Sequence, residues 1–157
     1  TGAATTLCVA EVLGDQVRTY HVGDSGAFLI GQRGKVKLQT IAHSPVGYAL
    51  EAGLINEEDA MYHEERHLIS NVLGSHEMRI DIGSSCTMAA KDTLLLSSDG
   101  LLDNLWTEEI VERMRKGPLL KGMQELADEA SLRMLSKLND EQPSKPDDLT
   151  IVAFRRS

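Results

Sequence analysis

The sequence contains none of the features that mark a disulfide-linked, repetitive or membrane-spanning protein. It has only two cysteines, Cys8 and Cys86, which stand far apart and form no C-x-x-C pair, so a disulfide framework is not expected. No apolar run approaches about 20 residues, the length needed to cross a bilayer. Neither an internal repeat nor a low-complexity stretch is present. These absences favour an ordinary globular domain.

Positive charge is scarce relative to negative charge. The 16 Lys and Arg residues and the 24 Asp and Glu residues give a formal net charge of −8. Nucleic-acid phosphates and anionic lipids would be repelled, so neither nucleic acid nor a membrane is an expected partner. With 157 residues and 41% apolar composition, the chain has the size of one domain and can bury a core. The cysteines suit a reducing compartment and no signal-like segment follows Thr1, so the expected location is cytoplasmic.

The pattern of apolar residues predicts an α+β domain. Helices should pack on the outer faces of antiparallel sheets, and the first four strands should form a meander, with a hairpin turn at Gly14-Asp15. Strands are predicted over 5–13, 16–22, 27–31, 35–41, 78–82, 93–98 and 149–155, two short helices over 43–74, and longer helices from Thr107 and over 118–138.

Three aspartates lie at the ends of predicted strands. Asp24 follows the second strand, Asp99 follows the apolar strand over 93–98, and Asp147 precedes the last strand. Carboxylates at strand ends can converge on one rim of a sheet, and Mg²⁺ and Mn²⁺ prefer oxygen ligands of this kind. The alternative is that each is an ordinary Asp-Gly or Asx turn, and spacing alone leaves both interpretations open.

The residues around these aspartates carry a resemblance to a known family. Thr1–Thr5 resembles the strand start G-[ST]-T-A, Gly23-Asp24-Ser25 resembles VGDSRA, and residues 94–103 resemble LLLASDGLWD. Residues 147–152 resemble a final DNIT-V strand, and residues 43–66 resemble a D-H-S-x-V…H-x-x-R segment. These motifs occur in this order in the metal-dependent PP2C-type protein phosphatases. Five ordered motifs are far more specific than any one of them.

The resemblance implies both a fold and a reaction. The fold would be the family's α-β-β-α sandwich, with two Mn²⁺ or Mg²⁺ ions, and possibly a third, between two antiparallel sheets. A metal-bridging water would attack the phosphorus of phosphoserine or phosphothreonine in a phosphoprotein substrate. Asp99 and Asp147 match the family's metal-binding aspartates, and Asp24 matches the one that shares a third, weaker ion with Asp99. Residues 43–74, which include His63 and Arg66, would form the flap beside the site.

The resemblance is incomplete in three places. The family's D-G-x-G-G motif, which supplies the aspartate that bridges the metals, is absent, as is an upstream phosphate-binding Arg. We therefore expect residues 1–157 to be a single PP2C-like catalytic domain that lacks its N-terminal portion and is inactive alone. Asp148 stands where the family has Asn, and Asn71 stands where the flap often has Arg.

Two other functions remain open. One is a non-catalytic PP2C-like regulatory or interaction domain, which the sequence encoded upstream of Thr1 would reveal by lacking D-G-x-G-G. The other is a zinc hydrolase, because His63-Glu64-Glu65-Arg66-His67 is a literal H-E-x-x-H. On a helix His63 and His67 would share a face and bind Zn²⁺, with Glu64 as general base. Against this, no metzincin continuation follows. If the purified protein contains one zinc ion and the His63→Ala variant loses it, zinc chemistry is supported. If activity requires Mn²⁺ and His63→Ala does not change that requirement, zinc chemistry is rejected.

Overall fold

The computed structural model describes residues 2–135 and 142–156, which form an α+β domain of two antiparallel sheets and flanking helices. The predicted fold class is therefore confirmed. The strands are β1 (Leu7–Leu13), β2 (Gln16–Val22), β3 (Gly26–Ile30), β4 (Val36–Gln39), β5 (Asp81–Ile82), β6 (Cys86–Thr87), β7 (Thr93–Ser97) and β8 (Ile151–Arg155). The helices are α1 (Pro45–Glu51), α2 (Glu57–Met61), α3 (Asp99–Leu102), α4 (Thr107–Met114) and α5 (Leu119–Leu135).

The predicted four-stranded meander is wrong, because the first four strands divide between two sheets. In the first sheet β2 pairs with β1, β5 and β6, and in the second the order is β4-β3-β7-β8. The hairpin between β1 and β2 does form, with Gly14 at a φ of 62°. The chain changes sheets at Gly23, whose φ is 102° and where a Cβ would lie 2.4 Å from the Thr6 side chain. A residue with a side chain cannot make this crossing without strain.

Several element boundaries also differ from the prediction. Thr107 is the first residue of α4 rather than its cap, and the cap position is Trp106, whose backbone N–H donates to Glu109. The short helix α3 and the strand β6 were not predicted, and the strand expected over 78–82 is limited to β5. The end of the helix predicted over 118–138 lies outside the described residues.

The core has two layers because side chains alternate along the central strands. Phe28, Ile30 and Leu95 pack against α3, α4 and α5, whereas Leu29 and Leu94 pack against the first sheet. The other face of the first sheet carries apolar side chains that are between 42% and 66% exposed: Leu7, Val9, Leu13 and Ile82. No helix in the described ranges is long and apolar enough to span a membrane.

A buried ion pair joins α4 to α5. The Arg133 side chain is 4% exposed, and its guanidinium donates to both carboxylate oxygens of Glu109, at 2.6 and 2.9 Å. It also donates to Glu129 at 3.0 Å and to the backbone carbonyl of Asn104 at 2.8 Å. Burial opposes the charged form of Glu109, but the hydrogen bonds from Arg133 and from the Trp106 N–H outweigh it, so the pKa of Glu109 is lowered.

We expect Arg133→Met to lower the free energy of unfolding by about 3–5 kcal/mol, because it leaves Glu109 partly buried without its counter-charge. Lys121→Met is the matched control, since Lys121 is 71% exposed and pairs with Glu125 at 3.7 Å. The control should lose less than about 1 kcal/mol. Urea denaturation at pH 7 measures both values, and equal losses would contradict the assigned role of Arg133.

Acid should weaken the same interaction. Because the folded-state pKa of Glu109 is lowered, its stabilisation is present at neutral pH and disappears as the pH falls through that folded-state value. Glu109→Gln should therefore be less stable than the unchanged protein at pH 7, and the difference should shrink on acidification. Urea denaturation at several pH values tests this, and a difference independent of pH would contradict it.

Candidate functional site

The pairing of β3 with β7 places two predicted site residues at the same end of the second sheet. Gly26 of β3 lies opposite Ser97 of β7, and Asp24 and Asp99 lie just beyond these partners. Burial raises the pKa of Asp24 to about 6, and the nearby carboxylates of Asp99 and Asp103 add to the increase. The three carboxylates therefore repel one another at this end of the sheet.

The pairing of β7 with β8 brings the third predicted residue to this edge. Ser98 joins the two segments, since its hydroxyl donates to the Asp148 carbonyl at 3.1 Å and accepts from the Thr150 N–H at 3.0 Å. At Gly100 a Cβ would lie 2.3 Å from the Asp148 carbonyl oxygen, so only glycine permits this approach. The backbone of Asp148, and with it the start of the adjacent Asp147, is therefore held against Ser98 and Gly100.

Two residues of this edge were missed in the sequence. The ammonium of Lys145 donates to Asp99 Oδ2 at 3.1 Å and forms a shorter contact with Asp103 Oδ2. Burial raises the pKa of Asp103, although the hydrogen bond from Lys145 opposes the increase. Asp103 was predicted only as a cap or turn. The one available signal for Lys145 was its position two residues before Asp147.

A cavity of about 470 Å³ adjoins these carboxylates. Asp24, Asp99 and Asp103 contribute to its wall, together with Arg66 and apolar side chains from α1 and α2 such as Val46 and Met61. Arg66 donates to the Met61 carbonyl and, at 2.8 Å, to the Ser144 carbonyl. Arg66 thus connects the predicted flap to the residues just before Lys145 through two backbone carbonyls.

His63 is not in the wall of this cavity, and the H-E-x-x-H geometry is not formed. Helix α2 ends at Met61, and residues 63–67 form turns, with the His63 Nδ1 accepting from the Glu65 N–H. His63 and His67 therefore do not share a helix face. Among the described residues, neither belongs to a group of three possible metal ligands. The zinc-hydrolase alternative loses its structural basis.

A different cluster of possible ligands lies between the two sheets: His21, His43 and Asp81. The Nδ1 of His43 accepts from the Gly23 N–H at 3.0 Å, so the ring proton of His43 is on Nε2, which faces Asp81 Oδ2 at 3.2 Å. A metal at that nitrogen would have to displace the proton while Nδ1 still faces a donor. The two donors on Nδ1 therefore favour a close contact of a protonated Nε2 with the Asp81 carboxylate over a metal site, although this contact lacks hydrogen-bond geometry.

His43 instead anchors both ends of the predicted flap next to Asp24. Its N–H donates to the Gly23 carbonyl at 3.0 Å, and its carbonyl accepts from the N–H and the hydroxyl of Ser70. Asn71 donates to His43 Nδ1 at 2.8 Å and exchanges hydrogen bonds with the backbone of Arg79. Asn71, which replaces an Arg of the resembling family, is thus a buried structural residue here.

The composition of the edge fits a hard divalent cation. Asp24, Asp99 and Asp103 bring three carboxylates to one region, and the ammonium of Lys145 contacts two of them. Among the described residues, no three of these carboxylates place oxygens within 4.8 Å of one another without an ion. Mn²⁺ and Mg²⁺ prefer oxygen ligands, and their charge makes close carboxylates tolerable.

Comparisons with known proteins agree on one family. Residues 2–140 match the sequence profile of the family described as Protein phosphatase 2C. A "Serine/threonine phosphatase stp" of Listeria innocua is 31% identical over 157 residues, which cover 99% of this chain and 58% of that protein. "Protein phosphatase PhpP" of Streptococcus pneumoniae is 36% identical over 111 residues, 69% of this chain and 44% of that protein. The matched segments thus cover less than two thirds of the first relative and less than half of the second.

Solved structures show the same relationship. Serine/threonine phosphatase Stp1 from Staphylococcus aureus superimposes with a TM-score of 0.82 at 28% identity, covering 99% of this chain and 57% of that one. The catalytic domain of the phosphatase PstP, solved with 2 manganese ions, gives a TM-score of 0.73 at 27% identity, with coverage of 99% and 60%.

Gly100→Ala should disturb the edge without removing a carboxylate. The added methyl must displace the Asp148 carbonyl, so we expect a loss of about 1–3 kcal/mol in stability. We also expect Mn²⁺ binding about 10- to 100-fold weaker, because Asp147 moves with its neighbour. Gly2→Ala is the control, since a Cβ there meets no atom within 4 Å. Thermal melts and Mn²⁺ calorimetry measure the two effects, and unchanged Mn²⁺ affinity would refute the placement of Asp147.

Proposed function

Because the chain belongs to the protein phosphatase 2C family, we propose that its protein hydrolyses phosphoserine and phosphothreonine in phosphoproteins with the help of Mn²⁺ or Mg²⁺. The observation that carries the proposal is the placement of Asp24 and Asp99 at one end of the second sheet, where the backbone beside Asp147 packs against Ser98 and Gly100. Family membership, relatives named as serine/threonine phosphatases and a structural neighbour that contains manganese support it.

We assign the three aspartates different roles. Asp99 and Asp147 would hold two ions, and Asp24 would add a further carboxylate at the same edge. Bound there, the ions would supply the positive charge that activates water and neutralises phosphoryl oxygens. Asp148 is placed differently: its carbonyl accepts from Ser98, and its N–H donates to Asp147 Oδ1 at 2.7 Å. The backbone N–H of Asp148 thus orients the carboxylate of Asp147.

The cavity beside the carboxylates is the proposed entrance for the phosphorylated side chain. Its volume of about 470 Å³ lies in the range of small-molecule pockets, roughly 300–1,000 Å³. Arg66 in its wall would attract the phosphate, and the apolar side chains of α1 and α2 would pack on the substrate. We propose that residues 43–74 act as the flap of a single catalytic domain, anchored at both ends by His43.

The decisive test uses the complete protein encoded by the gene. Asp99→Asn removes one negative ligand oxygen while keeping the shape of the side chain. We expect it to lower Mn²⁺-dependent hydrolysis of a phosphoserine peptide by about 10²-fold or more, a larger effect than the loss of an outer-shell partner. Asp128→Asn is the control, because Asp128 lies on exposed α5 surface and only accepts from Gln124. Steady-state phosphate release measures both.

Unchanged activity of the Asp99→Asn protein would refute the proposed role of this edge. A complete protein that folds but releases no phosphate with either Mn²⁺ or Mg²⁺ would instead favour the non-catalytic regulatory or interaction domain. A phosphatase that keeps its Mn²⁺ requirement when His63 becomes Ala would agree with the turn structure at 63–67.

A further inference from the structure

Lys145, which lies shortly before β8, contacts the carboxylates at the sheet edge, and hydrogen bonds fix its backbone. The buried side chain of Asn104 holds the backbone of Lys145 from both sides: Oδ1 accepts from the Lys145 N–H at 2.6 Å, and Nδ2 donates to the Lys145 carbonyl at 2.8 Å. Asn104 Nδ2 also donates to the Gly100 carbonyl at 2.9 Å. The backbone of Lys145 is therefore fixed relative to the segment that carries Asp99.

The neighbouring residue is fixed as well. The Ser144 hydroxyl donates to the Arg133 carbonyl at 2.8 Å, and the Ser144 carbonyl accepts from Arg66 at 2.8 Å. Arg133 in turn donates to the Asn104 carbonyl. Groups from α5, the predicted flap and the turn after α3 thus all hold residues 144 and 145. The position of Lys145 does not depend on a freely moving surface segment.

The ammonium of Lys145 takes a place between two carboxylates. It contacts Oδ2 of both Asp99 and Asp103, and its side chain is only 20% exposed, while those of the two aspartates are 24% and 23% exposed. Partly buried ion pairs of this kind are screened less by solvent and salt than surface pairs. The same positive charge also acts on Asp24. It therefore lies at the carboxylates for which the resemblance implies a third, weaker metal ion shared by Asp99 and Asp24.

We propose that Lys145 is a built-in counter-ion that replaces the third metal ion, so that the complete protein binds two divalent ions and not three. The inference rests on the proposed metal site. An ammonium within hydrogen-bond distance of Asp99 neutralises part of the negative charge that would attract another cation. Lys145 is thus a residue that limits metal stoichiometry.

Calorimetric titration of the metal-free complete protein with MnCl₂, checked by electron paramagnetic resonance of free Mn²⁺, tests the inference. We expect two bound ions in the unchanged protein. We expect a third in Lys145→Gln, with an affinity at least about tenfold higher than any third-ion binding in the unchanged protein. Lys145→Arg keeps the charge and should retain two ions. Lys121→Gln, which removes an exposed lysine, should also retain two.

The outcomes separate this inference from the proposed function. Two ions in both the unchanged protein and Lys145→Gln, or three in both, would refute the role of Lys145 and leave the metal site standing. No Mn²⁺ binding in either protein would refute the metal site and this inference together. A thermal melt of each variant shows that it is folded, and the Asn104 hydrogen bonds to the Lys145 backbone do not involve the substituted side chain.

Discussion

The antiparallel pairing of β3 with β7 is the constraint on which the rest of the structure depends. All five residues of β3 are buried, and each lies opposite a residue of β7. Along both strands, alternate side chains point to opposite faces of the sheet. One set packs against the helices, and the other packs against the first sheet. The same register brings Asp24 and Asp99 to one end. A one-residue slip would reverse the faces and separate the aspartates.

The edge formed by this pairing concentrates negative charge, which is costly in a folded protein unless positive charge accompanies it. The ammonium of Lys145, which contacts the carboxylates of Asp99 and Asp103, offsets part of this repulsion. The remaining carboxylates keep the excess charge that suits divalent ions. Rigid surroundings make the arrangement specific: Asn104 fixes the lysine backbone, and Gly100 allows the Asp148 backbone to approach.

Local sequence patterns were enough to predict much of this structure. Alternating apolar residues and the Gly14-Asp15 turn predicted the first hairpin, and α1 and α2, capped by Ser44 and Asn56, are the two short helices predicted over 43–74. Aspartates at strand ends predicted the edge, and the ordered motifs predicted the family. These features depend on residues close together in the chain or on motifs, which a sequence displays directly.

Other features depend on contacts between distant parts of the chain, and these were not predicted. The division of the first four strands between two sheets follows from the left-handed backbone at Gly23 and from β7, which is about 70 residues later. The contact of Lys145 with Asp99 and the pair of Arg133 with Glu109 join residues that are 46 and 24 positions apart. In the same way, His43 contacts residues that are distant in the sequence, Gly23 before it and Asp81 after it.

The central claim is that Asp99 and Asp147 form part of a divalent-metal site. Anomalous X-ray diffraction from crystals of the complete protein grown with Mn²⁺ would test it most directly. The account predicts anomalous peaks at coordination distance, about 2.0–2.6 Å, from carboxylate oxygens of Asp99 and Asp147. Peaks found only elsewhere, such as at His21 and His43, or no peak at this edge at millimolar Mn²⁺, would contradict it.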